Sequence, residues 1–102
     1  MQLDELKSTD FTPCLNQAFQ LHLEGHDPWP LTLASVTVLG PARVRNGVEL
    51  RPPFSLIFRG PLQPVLPQRI YALEHERLGR LEIFIVPVGP EGGGMNYEAV
   101  FN

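Results

Sequence analysis

The chain is poor in cysteine and in basic residues, and it has no long apolar run. Among its 102 residues Cys14 is the single cysteine, so an intramolecular disulfide is excluded. Lysine and arginine together number 8, and the net charge is −3. Nucleic-acid binding depends on concentrated Lys and Arg that displace counterions from phosphates, so this balance argues against a nucleic-acid partner. No segment approaches the ~20 apolar residues of a membrane-spanning helix, and we expect no membrane association.

The length of the chain and its first residues indicate how many domains it forms and how they begin. A chain of this length builds one domain with one core, and we predict a single β domain over residues 1–102. Leu3 and Leu6 favour a short helix, so residues 1–16 are predicted to form a helical cover segment and residues 17–102 a barrel. The first residues are acidic and lack the apolar core of a secretory signal. We therefore expect the protein in the cytoplasm.

Six short segments alternate apolar with polar or small residues, and Pro or Gly residues cluster between them. Phe19, Leu21 and Leu23 show the alternation early in the chain, and Leu81 and Ile83 show it later. A β-strand sends successive side chains to opposite faces, so this pattern predicts half-buried strands. The predicted strands span residues 17–24, 31–39, 54–59, 70–76, 80–88 and 97–101.

The links between these strands are short, which favours antiparallel neighbours because parallel strands need long crossovers. We therefore predict an all-β fold: a small six-stranded, mostly antiparallel barrel with a short N-terminal helix that covers one end. A two-sheet β-sandwich is the alternative. Residues 42–53 form the longest link, and Asn46 and Gly47 mark its turn.

Residues 76–80 fit a three-residue hairpin in which Gly79 adopts a left-handed conformation. The register predicted from this hairpin places Leu73 opposite Ile83 and Glu74 opposite Glu82. Paired carboxylates are candidates for acid/base chemistry or cation binding. No apolar segment encloses this pair, so we favour two solvated acids on an outer face.

The remaining reactive residues lack the patterns that chemistry requires. Alternation sends His22 outward and His75 inward, so the histidines do not converge as metal ligands must. Cys14 has no base nearby in the sequence and is predicted to be a small buried residue. The glycine-rich segment 89–94 lacks the Lys-Ser or Lys-Thr of a phosphate-binding loop and predicts a mobile hairpin tip. We expect no catalytic residue, no cofactor and no metal.

Two features favour protein binding. Trp29 lies in a predicted hairpin tip at residues 25–30, where prolines restrict the backbone and reduce the entropy lost on binding. The alternative is that the indole folds back as a lid over the barrel mouth. The fifth predicted strand is apolar on both faces, which leaves Phe84 and Val86 to meet a loop, the N-terminal segment or another protein.

These residues predict a non-enzymatic protein-interaction or assembly module whose protein partner is unknown, with a homo-oligomer also open. The alternative from another class is a small-ligand-binding barrel or an enzyme. Its site would lie at the barrel mouth near Tyr71 and His75.

Three segments carry a resemblance to a known family: PFSLIFRGP at residues 53–61, YALEH at 71–75 followed by LEIFIVPVG at 81–89, and YEAVFN at 97–102. From about residue 11 to its end, the chain resembles a family of small bacterial proteins classed as a domain of unknown function. The resemblance implies a setting near phage-tail-collar-like proteins, and therefore a tail-like particle or its assembly apparatus as partner. It supplies no catalytic motif.

Overall fold

A computed structural model describes residues 3–102, in which the alternating segments form strands. The first two residues of the predicted cover segment lie outside the described residues. One α-helix, α1 (Ser8–Phe11), lies between 3-10 turns at Leu3–Glu5 and Thr12–Cys14. The strands are β1 (Ala18–His22), β2 (Trp29–Val38), β3 (Val44–Arg45), β4 (Val48–Glu49), β5 (Phe54–Pro61), β6 (Arg69–His75), β7 (Gly79–Glu91) and β8 (Gly94–Phe101).

Six of these strands form a closed antiparallel barrel in the order β1-β2-β5-β8-β7-β6, and β6 pairs with β1 to complete it. This confirms the predicted barrel over the two-sheet sandwich. Among residues 3–102, none of the helices has the length and apolar character needed to cross a bilayer.

The hairpin between β7 and β8 is longer and more ordered than the glycine content of its tip predicts. Ladder pairing continues to Glu91 opposite Gly94, so the turn itself is only Gly92 and Gly93, both with positive φ. That geometry matches the twist of the flanking strands. The guanidinium of Arg59 donates to the carbonyls of Glu91 and Gly92 and holds the tip against β5. The predicted turn over residues 89–94 was too wide, and its mobility stays a prediction.

The register between β6 and β7 differs from the predicted one by two residues. Gly79 has a φ of 74° as expected, but it lies in β7 directly opposite His75. The turn therefore starts earlier, and Leu73 faces Leu81. Glu74 faces Arg80 and not Glu82, so the predicted carboxylate pair was wrong.

The N-terminal segment packs over one end of the barrel, and its α-helix begins at Ser8 and not near Leu3. Leu6, Phe11 and Cys14 are fully buried. The ring of Phe11 packs 5.8 Å from Phe54 and 5.6 Å from Phe101, centroid to centroid. Apolar burial of this kind stabilises a small barrel, because an uncovered end would leave its core in water.

Arg51 fixes this cover to the barrel. Its guanidinium donates to the carbonyl oxygens of Leu3 and Leu6 and to that of Asn102. The guanidinium carbon also lies 5.5 Å from the ring centroids of both Phe54 and Phe101. One side chain therefore joins the N-terminal segment, the start of β5 and the end of β8.

β3 and β4 form a separate two-stranded hairpin outside the barrel. Asn46 and Gly47 form its turn with φ values of 52° and 77°, as their sequence predicts. We call residues 43–50 the arm. Its apolar residues are open to solvent: Val44 is 68% exposed and Val48 61%.

We expect Gly60→Ala to destabilise the barrel by about 1–3 kcal/mol, because overpacking forces buried neighbours to move. A Cβ at Gly60 would lie 2.6 Å from Cδ2 of Leu31, which is fully buried. Gly40→Ala is the matched control, since its Cβ would meet no atom within 4 Å. Urea unfolding of both variants measures the difference. Equal midpoints would contradict the close packing at Gly60.

We expect Arg51→Met, which keeps an apolar stem, to lower the free energy of unfolding by roughly 1.5–3 kcal/mol. The carbonyls of the cover segment then lose a charged donor. Arg77→Met is the control, because that side chain is exposed and such surface changes usually stay within about 0.5 kcal/mol. Thermal and urea unfolding measure both variants. A loss of stability no larger than that of the control would show that Arg51 does not hold the cover.

Candidate functional site

An uncovered apolar row crosses three neighbouring strands on the outer wall of the barrel. Ile70 on β6 lies directly opposite Phe84 on β7, and Phe84 lines the same groove as Val100 on β8. These side chains are 62%, 51% and 53% exposed, respectively. We call Ile70, Phe84 and Val100 the apolar row. Hydrogen bonds of the closed barrel fix its backbone, so the row is a rigid surface.

Acidic side chains border the apolar row. Glu82 precedes Phe84 by two residues, so both point outward from β7. Glu98 likewise precedes Val100 by two residues on β8. It pairs with Val86, which is half-buried. Beside Phe84, a groove of about 280 Å³ extends to Arg51 at the covered end. The row therefore combines an aromatic centre with one carboxylate on each side, and Arg51 lies in the groove beside it.

Sequence reasoning found Phe84 and Val86 but missed Ile70 and Val100 as members of one surface. The signal was present in both cases. The inward set of β8 includes Ala99 and Phe101, so alternation alone puts Val100 outside. The error in the β6–β7 register hid the pairing of Ile70 with Phe84.

Trp29 lies at the opposite end of the barrel from the cover segment. The sequence placed Trp29 in a hairpin tip, which was wrong. The residue begins β2 and pairs with Leu21. The indole is half-buried and packs against the core. Its Nε1 lies 3.9 Å from the position that a Cβ would take on Gly60. This is the placement of a lid, the second of the two interpretations that the sequence left open.

The fold brings Cys14 and His75 together, which the sequence did not reveal. Cys14 Sγ lies 3.9 Å from Nδ1 of His75, and both residues are buried. The backbone N–H of Arg77 donates to that same Nδ1 at 3.1 Å, so we assign Nδ1 as the acceptor. Nε2 then carries the proton and donates to Oε1 of Gln17 at 2.7 Å. Both ring nitrogens of His75 therefore have a hydrogen-bond partner.

This pair does not make an activated nucleophile. Burial raises the pKa of the Cys14 thiol above its ordinary value of 9.0, and the smaller effect of the Arg77 charge lowers it. Nucleophilic cysteines need a lowered pKa, because the thiolate is the reactive form. The Cys14 thiol is therefore protonated near neutral pH, as the sequence prediction of a small buried residue implies.

The proposed barrel-mouth residues lie at different ends of β6. His75 ends the strand at the covered end, while Tyr71 lies near its start, roughly 13 Å away at strand spacing. The Tyr71 hydroxyl donates to the carbonyl of Pro67 at 2.6 Å, and burial raises the pKa of this phenol above 10.0. His75 lines a separate polar groove of about 620 Å³ with Gln17 and Glu74.

The other polar candidates are dispersed over the surface. His22 Nε2 lies 2.9 Å from Oε1 of Glu74, and Arg80 Nε lies 3.9 Å from Oε1 of Glu82. Both contacts are between exposed groups and contribute little to stability. Within residues 3–102, no three His, Cys, Asp or Glu side chains group as metal ligands.

The model of a domain of unknown function, DUF6916, matches residues 6–101 of the chain. The chain therefore belongs to this family, and the resemblance to a domain of unknown function is confirmed. No curated protein and no solved structure matches the chain.

We expect native Cys14 to react with a thiol reagent on the order of 100-fold more slowly than an exposed thiol at pH 8, since it must wait for local opening. The double variant Cys14→Ser, Thr9→Cys is the comparison, because Thr9 is exposed on α1. Reaction is followed spectroscopically with and without urea, which should remove the difference. Equal rates in native protein would mean that Cys14 is accessible, and a faster rate at Cys14 would mean that its thiol is activated.

Proposed function

We propose that this protein is a non-enzymatic protein-interaction or assembly module that docks a partner on the apolar row. The single observation that carries the proposal is the continuity of Ile70, Phe84 and Val100 across three strands, each at least half exposed. Val86 lies at the edge of this face and extends it along β7.

The chemistry of the row supports a protein partner. Soluble monomers seldom expose contiguous apolar surface without a functional reason. Aromatic residues at the centre of a patch, surrounded by less apolar neighbours, are typical of binding hot spots. Because the wall of a closed barrel is already ordered, little conformational entropy is lost when a partner binds.

The buried polar residues support a non-enzymatic role. A catalytic thiol requires an accessible thiolate and a base free to accept its proton. Cys14 is protonated, and Nδ1 of His75 already accepts from the Arg77 backbone. Tyr71 and His75 at different ends of β6 do not define one barrel-mouth site, which weighs against the ligand-binding alternative.

The partner class comes from the family resemblance and not from the geometry. We take a component of a bacterial phage-tail-like particle, or of its assembly apparatus, as the partner to test first. The module would act in the cytoplasm, where such particles are assembled. Trp29 as a second contact stays a prediction, because its indole packs on the core.

We expect the tagged protein to enrich a tail-like or particle component from its native cell extract, measured by quantitative mass spectrometry. Phe84→Ser should reduce that enrichment at least about 10-fold, because the centre of the row loses its ring. Val88→Ser is the control, since Val88 is 52% exposed on the same strand but lies at a bulge away from the row. Trp29→Ala in the same capture tests the second contact.

Equal enrichment with Phe84→Ser and with Val88→Ser would show that the row is not the docking face. A thermal shift of several degrees with a metabolite or a metal ion, abolished by His75→Ala, would instead support the ligand-binding alternative. Thermal unfolding of each variant without ligand separates a lost contact from a lost fold.

A further inference from the structure

The arm has two chemically different faces. Directly paired residues of a hairpin share a face, and the arm pairs Val44 with Glu49 and Arg45 with Val48. The Leu50 N–H donates to the Arg43 carbonyl, which extends the ladder by one pair. One face therefore carries two arginines and two apolar side chains; these are Arg43, Arg45, Val48 and Leu50.

Most of this basic and apolar face is open to solvent, and its arginines and Leu50 share a groove with Asn102 of the same chain. Val48 is 61% exposed and Leu50 39%, and both arginines are exposed. Within residues 3–102, neither arginine takes part in an ion pair or a side-chain hydrogen bond. An isolated two-stranded hairpin is at best marginally stable in water, so the arm gains most from a surface that covers it.

The apolar row has the complementary chemistry. It offers Ile70, Phe84 and Val100 in line, with Glu82 and Glu98 beside them. Glu82 is available to a partner, because its 3.9 Å contact with Arg80 is exposed and weak. Glu82 and Glu98 lie on opposite sides of the row, whereas both arginines lie on one strand of the arm, so the two surfaces match in charge sign and in apolar character.

We propose that the arm of one copy docks on the apolar row of a second copy of this chain. The inference rests on the proposed function, because it takes the row as the docking face and names its occupant. Within one chain the arm and the row are both exposed, so the contact is intermolecular. Different surfaces meet in this contact, which makes it heterologous: successive copies close into a ring or continue as a filament.

Charge favours a second copy over an unrelated apolar partner. Arginine is enriched at protein interfaces, and opposite charges at the edge of an apolar contact fix its register. A symmetric contact of row against row would place Glu82 and Glu98 against like charges, which is costly. Arm against row is the pairing that satisfies both faces.

The test is sedimentation velocity of the full chain over a wide range of concentration. We expect the wild type to associate, and to associate less at high salt because exposed charges are screened. Two double variants test the contact. The arm variant carries Arg43→Glu and Arg45→Glu, and the wall variant carries Glu82→Lys and Glu98→Lys beside the apolar row. Each should weaken association at least about 10-fold. In each variant, the contact between the arm and the apolar row then brings like charges together.

Mixing the two variants should restore association. The wall variant keeps the arginines of its arm, and these can meet the unchanged glutamates beside the apolar row of the arm variant. Likewise, the new glutamates on the arm of the arm variant can meet the new lysines beside the apolar row of the wall variant. Recovery in the mixture also shows that both variants are folded. Glu49→Lys is the control, since Glu49 lies on the other face of the arm and should leave association unchanged.

A wild type that stays monomeric up to about 1 mM overturns the inference, since a contact weaker than that carries less than roughly 4 kcal/mol. Association that neither variant weakens, or that mixing fails to restore, overturns it as well. If the chain is monomeric but Phe84→Ser still abolishes capture of another protein, the proposed function stands and only the second copy is wrong. If capture and association both fail to depend on Phe84, the docking face itself is wrong.

Discussion

The guanidinium of Arg51 is the interaction on which the other features depend. It supplies donors to carbonyls of the N-terminal cover and to the end of β8, and it packs over two aromatic rings of the barrel. Partly buried carbonyls that lose a charged donor cost free energy, so Arg51 adds to the apolar contacts that hold the cover on the barrel. Arg51 also stands between the arm and β5 in sequence, and it lines the groove beside Phe84. The closed core, the root of the arm and the outer wall therefore meet at one side chain.

Much of the barrel could be predicted from alternation, because side-chain direction in a strand is a local property. Local turn chemistry also placed the Asn46–Gly47 turn and the left-handed Gly79. Strand register was harder to predict, because it depends on the residue at which a turn begins. A turn that begins one residue earlier shifts every cross-strand pair by two residues. The carboxylate pair of Glu74 and Glu82 was wrong for this reason, and the place of Ile70 in the apolar row was missed for the same reason.

Contacts between distant parts of the chain could not be predicted at all. Cys14 and His75 are 61 residues apart, and only barrel closure with the cover in place brings them within 3.9 Å. The sequence did show that Cys14 would be buried, because a thiol with no base nearby fits the core. It could not show that the imidazole of His75 would be the neighbour. Trp29 differed for a related reason: its flanking prolines indicated a turn, but β2 begins at Trp29 and runs through Pro30.

Closure of the barrel also bears on how the chain behaves at high concentration. A sheet with an open edge presents unpaired N–H and C=O groups that recruit strands from other molecules and lead to aggregation. The six barrel strands pair on both sides, and β3 and β4 are only two residues long. Crowded copies can therefore meet through side chains without templating a continuous sheet.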